Sequence, residues 1–96
     1  MDRIASTSRE YVKIPVTVTG TADPQLLPAE VAITPGAVEP DDADYTTAEW
    51  VGGLVRFLIG PGTPHVLQPR QTYTVWVRIT SSPEIPVMHA GEIATY

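Results

Sequence analysis

The chain has 96 residues, which suffices for one small domain with one modest core. It has no cysteine and no run near the roughly 20 apolar residues of a membrane span, which excludes disulfides, thiolate metal sites and membrane-spanning helices. A formal net charge of −5, with six Lys and Arg residues that form no cluster, argues against nucleic acid as a partner, because phosphates repel a chain of the same sign.

The first strand is predicted over residues 11–19. Apolar side chains alternate there with polar ones, which is typical of a half-buried strand. Pro15 lacks an N–H donor, so we expect this strand at a sheet edge or at a switch between sheets. Residues 1–10 are predicted to be a flexible leader and residues 11–96 a single domain. The apolar positions of the strand are Val12, Ile14, Val16 and Val18.

Residues 30–34 alternate again and predict a second short strand, closed by Pro35 and Gly36. The stretch that follows, residues 37–45, is acidic and contains a proline, so we interpret it as an exposed loop. Four carboxylates there could gather a calcium ion, but they lack the residue order of a dedicated calcium loop, and a solvated turn is favoured. These carboxylates belong to Glu39, Asp41, Asp42 and Asp44.

Four more strand-like runs follow along the chain. Residues 46–51 and 54–59 are joined by two glycines, which indicates a hairpin. Residues 72–80 form the clearest strand, and residues 86–95 form a last strand that we expect to be broken near Ala90 by a bulge. About seven short strands with turns between them, and no helical stripe, predict an all-β antiparallel sandwich.

One segment sharpens the fold prediction. Leu67, Pro69 and Tyr73 stand in a Leu-x-Pro-x-x-x-Tyr-x-Val-x-Val pattern that resembles the segment leading into the sixth strand of fibronectin type III domains. The resemblance implies an immunoglobulin-like or fibronectin type III-like sandwich, with Tyr73 as a structural tyrosine corner. The sequence departs from the pattern at Arg70, where glycine is usual. It also lacks a tryptophan in residues 30–34, and Trp50 is expected to fill the core instead.

A second resemblance concerns biology. The segments Tyr-Val-Lys-Ile-Pro-Val, Ala-Glu-Trp and Tyr-Thr-Val-Trp-Val-Arg-Ile-Thr, with the later Pro-Glu-Ile-Pro-Val, are similar in order to small virion proteins of tailed bacteriophages, notably those infecting actinobacteria. This resemblance implies a structural role in a particle. It implies no catalytic residue.

Residues with catalytic or metal-binding chemistry are scattered in the sequence. His65 and His89 stand alone in separate regions, without a second histidine at metal spacing. The glycines around Pro61 are not followed by the Lys-Ser or Lys-Thr of a phosphate loop, and no serine lies in a nucleophile elbow. We therefore predict no catalytic residue, no metal ligand and no cofactor, and a protein that is not an enzyme.

Trp76 is the main candidate for a functional side chain. If Tyr73, Val75 and Val77 face the core, alternation directs Trp76 outward beside Arg78. Tryptophan and arginine are enriched at interface hot spots, so we predict an interface there. Leu58 and Arg56 point outward on their own strand and are expected to extend the patch. The alternative is that the ring pairs with Arg78 or Arg56, or is covered by the leader.

These features favour binding over catalysis. The leading hypothesis is a structural subunit of a phage particle, on the capsid surface or in the head-to-tail region, docked through a sheet face or an edge strand. The expected partners are other virion proteins in a symmetric, repeated assembly, with no nucleic acid and no membrane, and the expected location is the virion. The second hypothesis is an adhesion or carbohydrate-binding module that uses Tyr45 and Trp50 beside the acidic loop.

Overall fold

The computed structural model describes residues 2–16, 27–80 and 85–96. Over these residues the chain forms eight strands and one short 3-10 helix, Asp42–Asp44. The strands are β1 (Asp2–Ile4), β2 (Glu10–Pro15), β3 (Ala29–Pro35), β4 (Thr46–Thr47), β5 (Glu49–Val51), β6 (Leu54–Ile59), β7 (Thr72–Ile79) and β8 (Val87–Thr95). No helix in this part of the chain is both long and apolar enough to cross a membrane.

The strands make two sheets. One has five strands in the order β1-β8-β7-β3-β4, and the other has three in the order β2-β6-β5. All neighbours are antiparallel except β1 and β8, which pair in parallel. The predicted all-β sandwich is thus confirmed. The finer assignment to the immunoglobulin or fibronectin type III kind stays a prediction.

The core lies between the two sheets and follows the period-two pattern of the sequence. Val31, Val55 and Val77 have no exposed surface and come from β3, β6 and β7. Side chains two residues away on each strand face the same way, so each strand contributes a row of apolar groups. The other buried apolar side chains in this cluster are Ile14, Val16, Ala29, Phe57, Ile59, Leu67, Tyr73, Val75, Ile79 and Ile93.

The run over residues 46–51 departs from the prediction. It is two strands in different sheets, because β4 pairs with β3 whereas β5 pairs with β6. Ala48 lies at the crossing, and its N–H donates to the Ala29 carbonyl at 2.9 Å. Alternation shows which side chains face inward but not which sheet a strand joins, so the sequence could not reveal the crossing. The glycine hairpin is confirmed, since Val51 pairs with Leu54.

The expected flexible leader is wrong for residues 2–9. Strand β1 pairs with Ile93–Thr95 of β8, and the Ser6 N–H donates to the Tyr96 carbonyl at 2.9 Å. Farther along, the backbone passes so close to Gly60 that a Cβ atom there would lie 2.1 Å from the Ser8 carbonyl oxygen. The segment is folded onto the sandwich because Ile4 packs against the core.

Pro15 and the bulge behave as expected. Over the described residues β2 pairs only with β6, so it is an edge strand, as Pro15 indicates. The β7–β8 register shifts opposite Ala90, between Val75 and Trp76. The predicted continuation of β2 through residues 17–19, the turn at Asp23 and Pro24, and the turn at residues 81–83 lie outside the described residues.

Candidate docking surfaces

The four predicted interface residues do not form one patch. Trp76 and Arg78 lie on the outer face of the five-stranded sheet, whereas Arg56 and Leu58 lie on the outer face of the three-stranded sheet. The core separates these two faces. The expectation that Leu58 extends the patch around Trp76 is therefore wrong, because strands next to each other in sequence need not share a sheet.

Trp76 points outward from the core, as alternation predicts, but it is half-buried. Its indole N–H donates to the Thr34 hydroxyl oxygen at 3.0 Å. The His89 ring meets the indole edge-on, with 5.6 Å between the ring centroids. The tryptophan is thus held by neighbours on β3 and β8 rather than by the arginines or the leader considered above.

Residues 36–45, here called the strap, cover the outer face of β3 and β7. The Thr74 hydroxyl donates to the Gly36 carbonyl, and the Thr34 hydroxyl donates to the Val38 carbonyl. Beneath the strap Ala32 has no exposed surface and Thr74 is only 2% exposed. The acidic loop is solvated at its side chains, as predicted, but its backbone is fastened to the sheet by threonine hydroxyls.

Arg78 fastens the far end of the strap. Its guanidinium forms ion pairs with Glu30 at 3.0 Å and with Asp42 at 2.7 Å, and it lies over the Tyr45 ring at 4.0 Å. Burial lowers the pKa of Arg78, but the hydrogen bonds to both carboxylates outweigh that effect and raise the pKa. Burial raises the pKa of the Tyr45 phenol, against the opposing effect of the arginine charge. Arg78 is therefore a permanent cation enclosed by groups of this chain.

Arg56 and Leu58 line a cleft of about 300 Å³ near the Thr46–Glu49 segment. Arg56 forms an ion pair with Glu49 and lies over the Tyr11 ring at 4.3 Å. On the opposite wall the His65 Nε2 atom lies 2.7 Å from the Thr46 hydroxyl, and burial lowers the pKa of the imidazole. The remaining lining residues are Thr47, Ala48, Phe57 and Pro64.

Tyr73 has the geometry of a tyrosine corner. Its hydroxyl accepts a hydrogen bond from the Gln68 N–H at 2.8 Å, and its ring is 7% exposed beside Leu67 at 6%. Arg70 has a φ of 58°, in the left-handed region that favours glycine. This backbone conformation explains why the fibronectin type III pattern has glycine at this position.

A groove that sequence reasoning missed runs between β2 and β8. Two adjoining cavities of about 90 and 200 Å³ lie along it, and both are lined by Ile14, Pro15 and Ala90. We call this the β2–β8 groove. Other apolar side chains that line it come from β2, from the residue after it, and from β7 and β8, namely Val12, Val16, Val75, Val77, Met88 and Ile93.

Exposed apolar residues cluster at the start of β8, where Met88 lines the groove and Val87 lies opposite Arg78 on the outer face of the sheet. Ile85 is 55% exposed, Val87 46% and Met88 36%, and they lie within four positions of one another. A cluster of exposed apolar side chains is more informative than single ones scattered over a surface. The only signal of this cluster in the sequence is that three of four consecutive positions are apolar, which breaks the alternation of apolar and polar residues.

Four of the side chains considered for metal or sugar binding have structural contacts. Asp42 pairs with Arg78, and Asp44 accepts a hydrogen bond from the Asp41 N–H at 2.8 Å. In the part of the chain that the structure describes, no three His, Cys, Asp or Glu residues are grouped to hold a metal ion. Tyr45 packs on Arg78, and the Trp50 indole donates to the Leu27 carbonyl at 2.9 Å while packing against the core.

Comparison with known proteins identifies no relative for this chain. No protein-family model matches it, and no curated protein and no solved structure matches it either.

Proposed function

We propose that the chain is a structural docking subunit of a tailed-phage particle and acts without catalysis. The observation that carries this proposal is the β2–β8 groove, where two cavities adjoin against apolar side chains of the core and Met88 is 36% exposed. Apolar surface of this kind on a small sandwich is stabilised when a partner covers it. The sequence resemblance to small virion proteins suggests that the partner belongs to a phage particle.

The covered sheet face supports the same role in another way. Trp76 and Arg78 hold the strap to the sheet, so they contribute rigidity rather than a free docking patch. A subunit that is repeated in a symmetric particle benefits from a rigid body and a defined attachment edge. We place the docking contact at the β2–β8 side, with neighbouring capsid, connector or tail subunits as partners and the virion as the location.

Lys13 offers a direct experiment, because it is the only lysine of the chain and lies on β2. Purified intact phage particles are treated with a short amine-reactive cross-linker and analysed by mass spectrometry. We expect peptides of this chain in the particles, with Lys13 linked to another virion protein. The absence of the chain from purified particles contradicts the proposal, and so does its presence without any link from Lys13.

A second candidate function is carbohydrate binding, and the cleft at Arg56 favours it. Tyr11 supplies exposed aromatic surface, while Thr46, Glu49 and Arg56 supply hydrogen-bonding groups around about 300 Å³. Such a mixture of apolar walls and a few polar groups is typical of small-ligand sites. Because Glu49 neutralises Arg56, an uncharged sugar suits the cleft better than an acidic one.

A glycan array read with calcium and again with a chelator tests this second function. Binding that Arg56→Ala and Tyr11→Ala each abolish supports a sugar site in the cleft. Binding that the chelator abolishes directs attention to the acidic strap instead. An array without any signal contradicts the carbohydrate function.

A further inference from the structure

We propose that the β2–β8 groove accepts an extended apolar segment of a neighbouring subunit, which pairs with the free strand edges as an added strand. This inference rests on the proposed docking function and names how the partner is held. The partner is defined by its chemistry, as a segment with apolar side chains at alternate positions.

Strand β1 shows what kind of occupant this edge takes. It pairs in parallel with Ile93–Thr95 of β8, and Ile4 packs against the core. The first part of β8, from Val87 to Glu92, has no neighbour on that side among the described residues. At about 3.3 Å a residue, those six positions leave an edge of roughly 20 Å. A strand in line with β1 therefore continues a pairing that the chain already makes.

Backbone groups of β8 that have no partner among the described residues border the groove. The Pro86 carbonyl accepts a hydrogen bond from the Ile79 N–H at 3.2 Å, so residue 86 faces β7. Because consecutive residues of a strand point their backbone groups in opposite directions, the N–H and C=O groups of Val87 and His89 face the free edge.

Similar groups border the groove on β2. The Val16 N–H donates to the Gly53 carbonyl at 3.3 Å, which directs Val16, Ile14 and Val12 towards β6. By the same alternation Tyr11 and Lys13 present N–H and C=O groups to the free edge. A single extended chain in the groove would thus lie between these two rows of hydrogen-bonding groups.

The floor of the groove sets the side-chain pattern of the occupant. Val12 and Ile14 of β2, and Val16 just after it, recur at every second position and line the groove along its length. The two cavities adjoin at Ile14, so apolar side chains two positions apart on one strand fit into them. The required segment therefore alternates apolar and polar residues.

Several features oppose a second copy of this chain as the occupant. Pro15 faces the free edge by the alternation above and has no N–H to donate, Lys13 places a charge there, and the bulge at Ala90 bends β8. Proline, lysine and bulges are devices that keep two whole sheets from pairing edge to edge. A single flexible segment adapts to such an edge more readily than a rigid sheet does.

The test uses the intact chain and a short capped peptide in which valine alternates with threonine. A peptide of the same length with serine in place of valine is the control. With free valine peptide at ten times its Kd, we expect the N–H groups of Val87, His89 and Lys13 to exchange about tenfold more slowly, with a rise in the unfolding midpoint. Equal effects of the two peptides, or no effect of either, overturn the inference.

Two variants keep the result interpretable. Ala90→Trp places a bulky ring where both cavities meet, and Ala43→Trp places the same ring on the exposed 3-10 helix. We expect Ala90→Trp to abolish the exchange protection and Ala43→Trp to keep it. Concentration-dependent dimers in sedimentation, lost in Ala90→Trp, would instead assign the groove to a second copy and overturn the inference.

The outcomes for the inference and for the proposed function are separate. If particles contain the chain with Lys13 linked to a neighbour, but the chain binds no peptide in solution, the docking function is supported and strand addition is refuted. If the chain binds the valine peptide but is absent from particles, strand addition is supported and the phage assignment is refuted.

Discussion

The outer face of β3 and β7 and the β2–β8 groove are the two surfaces where this sandwich departs from a plain pair of sheets. The first contains a tryptophan and an arginine, yet the strap covers it and the hydroxyls of Thr34 and Thr74 have partners there. The second has mostly apolar walls, and among the described residues β1 covers just the end of β8 beside it. Residue types such as tryptophan and arginine suggest where an interface lies. Whether that surface is exposed depends on which other segments of the chain cover it.

The largest effect is expected from a substitution that detaches the strap from the outer face of β3 and β7. Thr74→Val removes the hydroxyl that donates to the Gly36 carbonyl, at a side chain only 2% exposed. We expect the free energy of unfolding to fall by about 1 to 3 kcal/mol, since a carbonyl loses its donor beside a buried group. Denaturant unfolding measures it. Thr47→Val, on an exposed threonine, is the control, and an equal loss in both variants would refute the role of the strap.

Arg78→Met tests the far end of the strap. The substitution keeps the apolar stem but removes both ion pairs and the contact with the Tyr45 ring. We expect a loss of about 1 kcal/mol at low salt, less at 1 M NaCl, because Asp42 is exposed and its pairing is screened. Unfolding at the two salt concentrations measures the effect. A loss that does not change with salt would mean that packing, not charge, holds this end.

A smaller effect is expected from His65, which is only half-buried and ties residues 60–65 to Thr46. Burial lowers its pKa in the folded chain from the ordinary 6.5, so below pH 6.5 the unfolded chain binds a proton that the folded chain does not. Stability should therefore decrease as the pH falls from 6.5 towards the lowered pKa. Unfolding of the native chain and of His65→Gln across that window measures it, and parallel pH profiles would contradict it.

The least effect on stability is expected in the open groove. Met88→Ser alters a side chain that is 36% exposed at the groove, so unfolding should change by less than about 0.5 kcal/mol. The same variant should weaken binding of the valine peptide, as measured by amide exchange. A large loss of stability would show that the groove belongs to the closed core and would remove the contrast between the two surfaces.

Several elements could be predicted from the sequence because each has a local signal. Strand β6 matches its predicted bounds, since Val55, Phe57 and Ile59 alternate without interruption. The bulge near Ala90 is marked by a glycine inside an alternating run. The edge position of β2 follows from Pro15. In each case the signal lies within a few residues of the feature that it predicts.

Other features could not be predicted because they depend on contacts distant in sequence. Nothing in residues 36–45 indicates that threonines of β3 and β7 bind their carbonyls. Ala48 gives no sign that the chain changes sheets there. The groove was missed for the same reason, since its walls come from β2 and β8, which are some 75 positions apart, and its exposure depends on how far β1 extends.

The pairing of β1 with β8 also has a consequence for how the molecule forms. Residues 2–4 reach their partners only when residues 93–95 are in place, so this contact closes almost the whole chain into a loop. The entropy of closing that loop is lost before the contact contributes any stability, which favours late formation. During synthesis, β1 must therefore wait for the end of β8, and ribosome-bound chains lacking residues 93–95 should leave Asp2–Ile4 open to proteases.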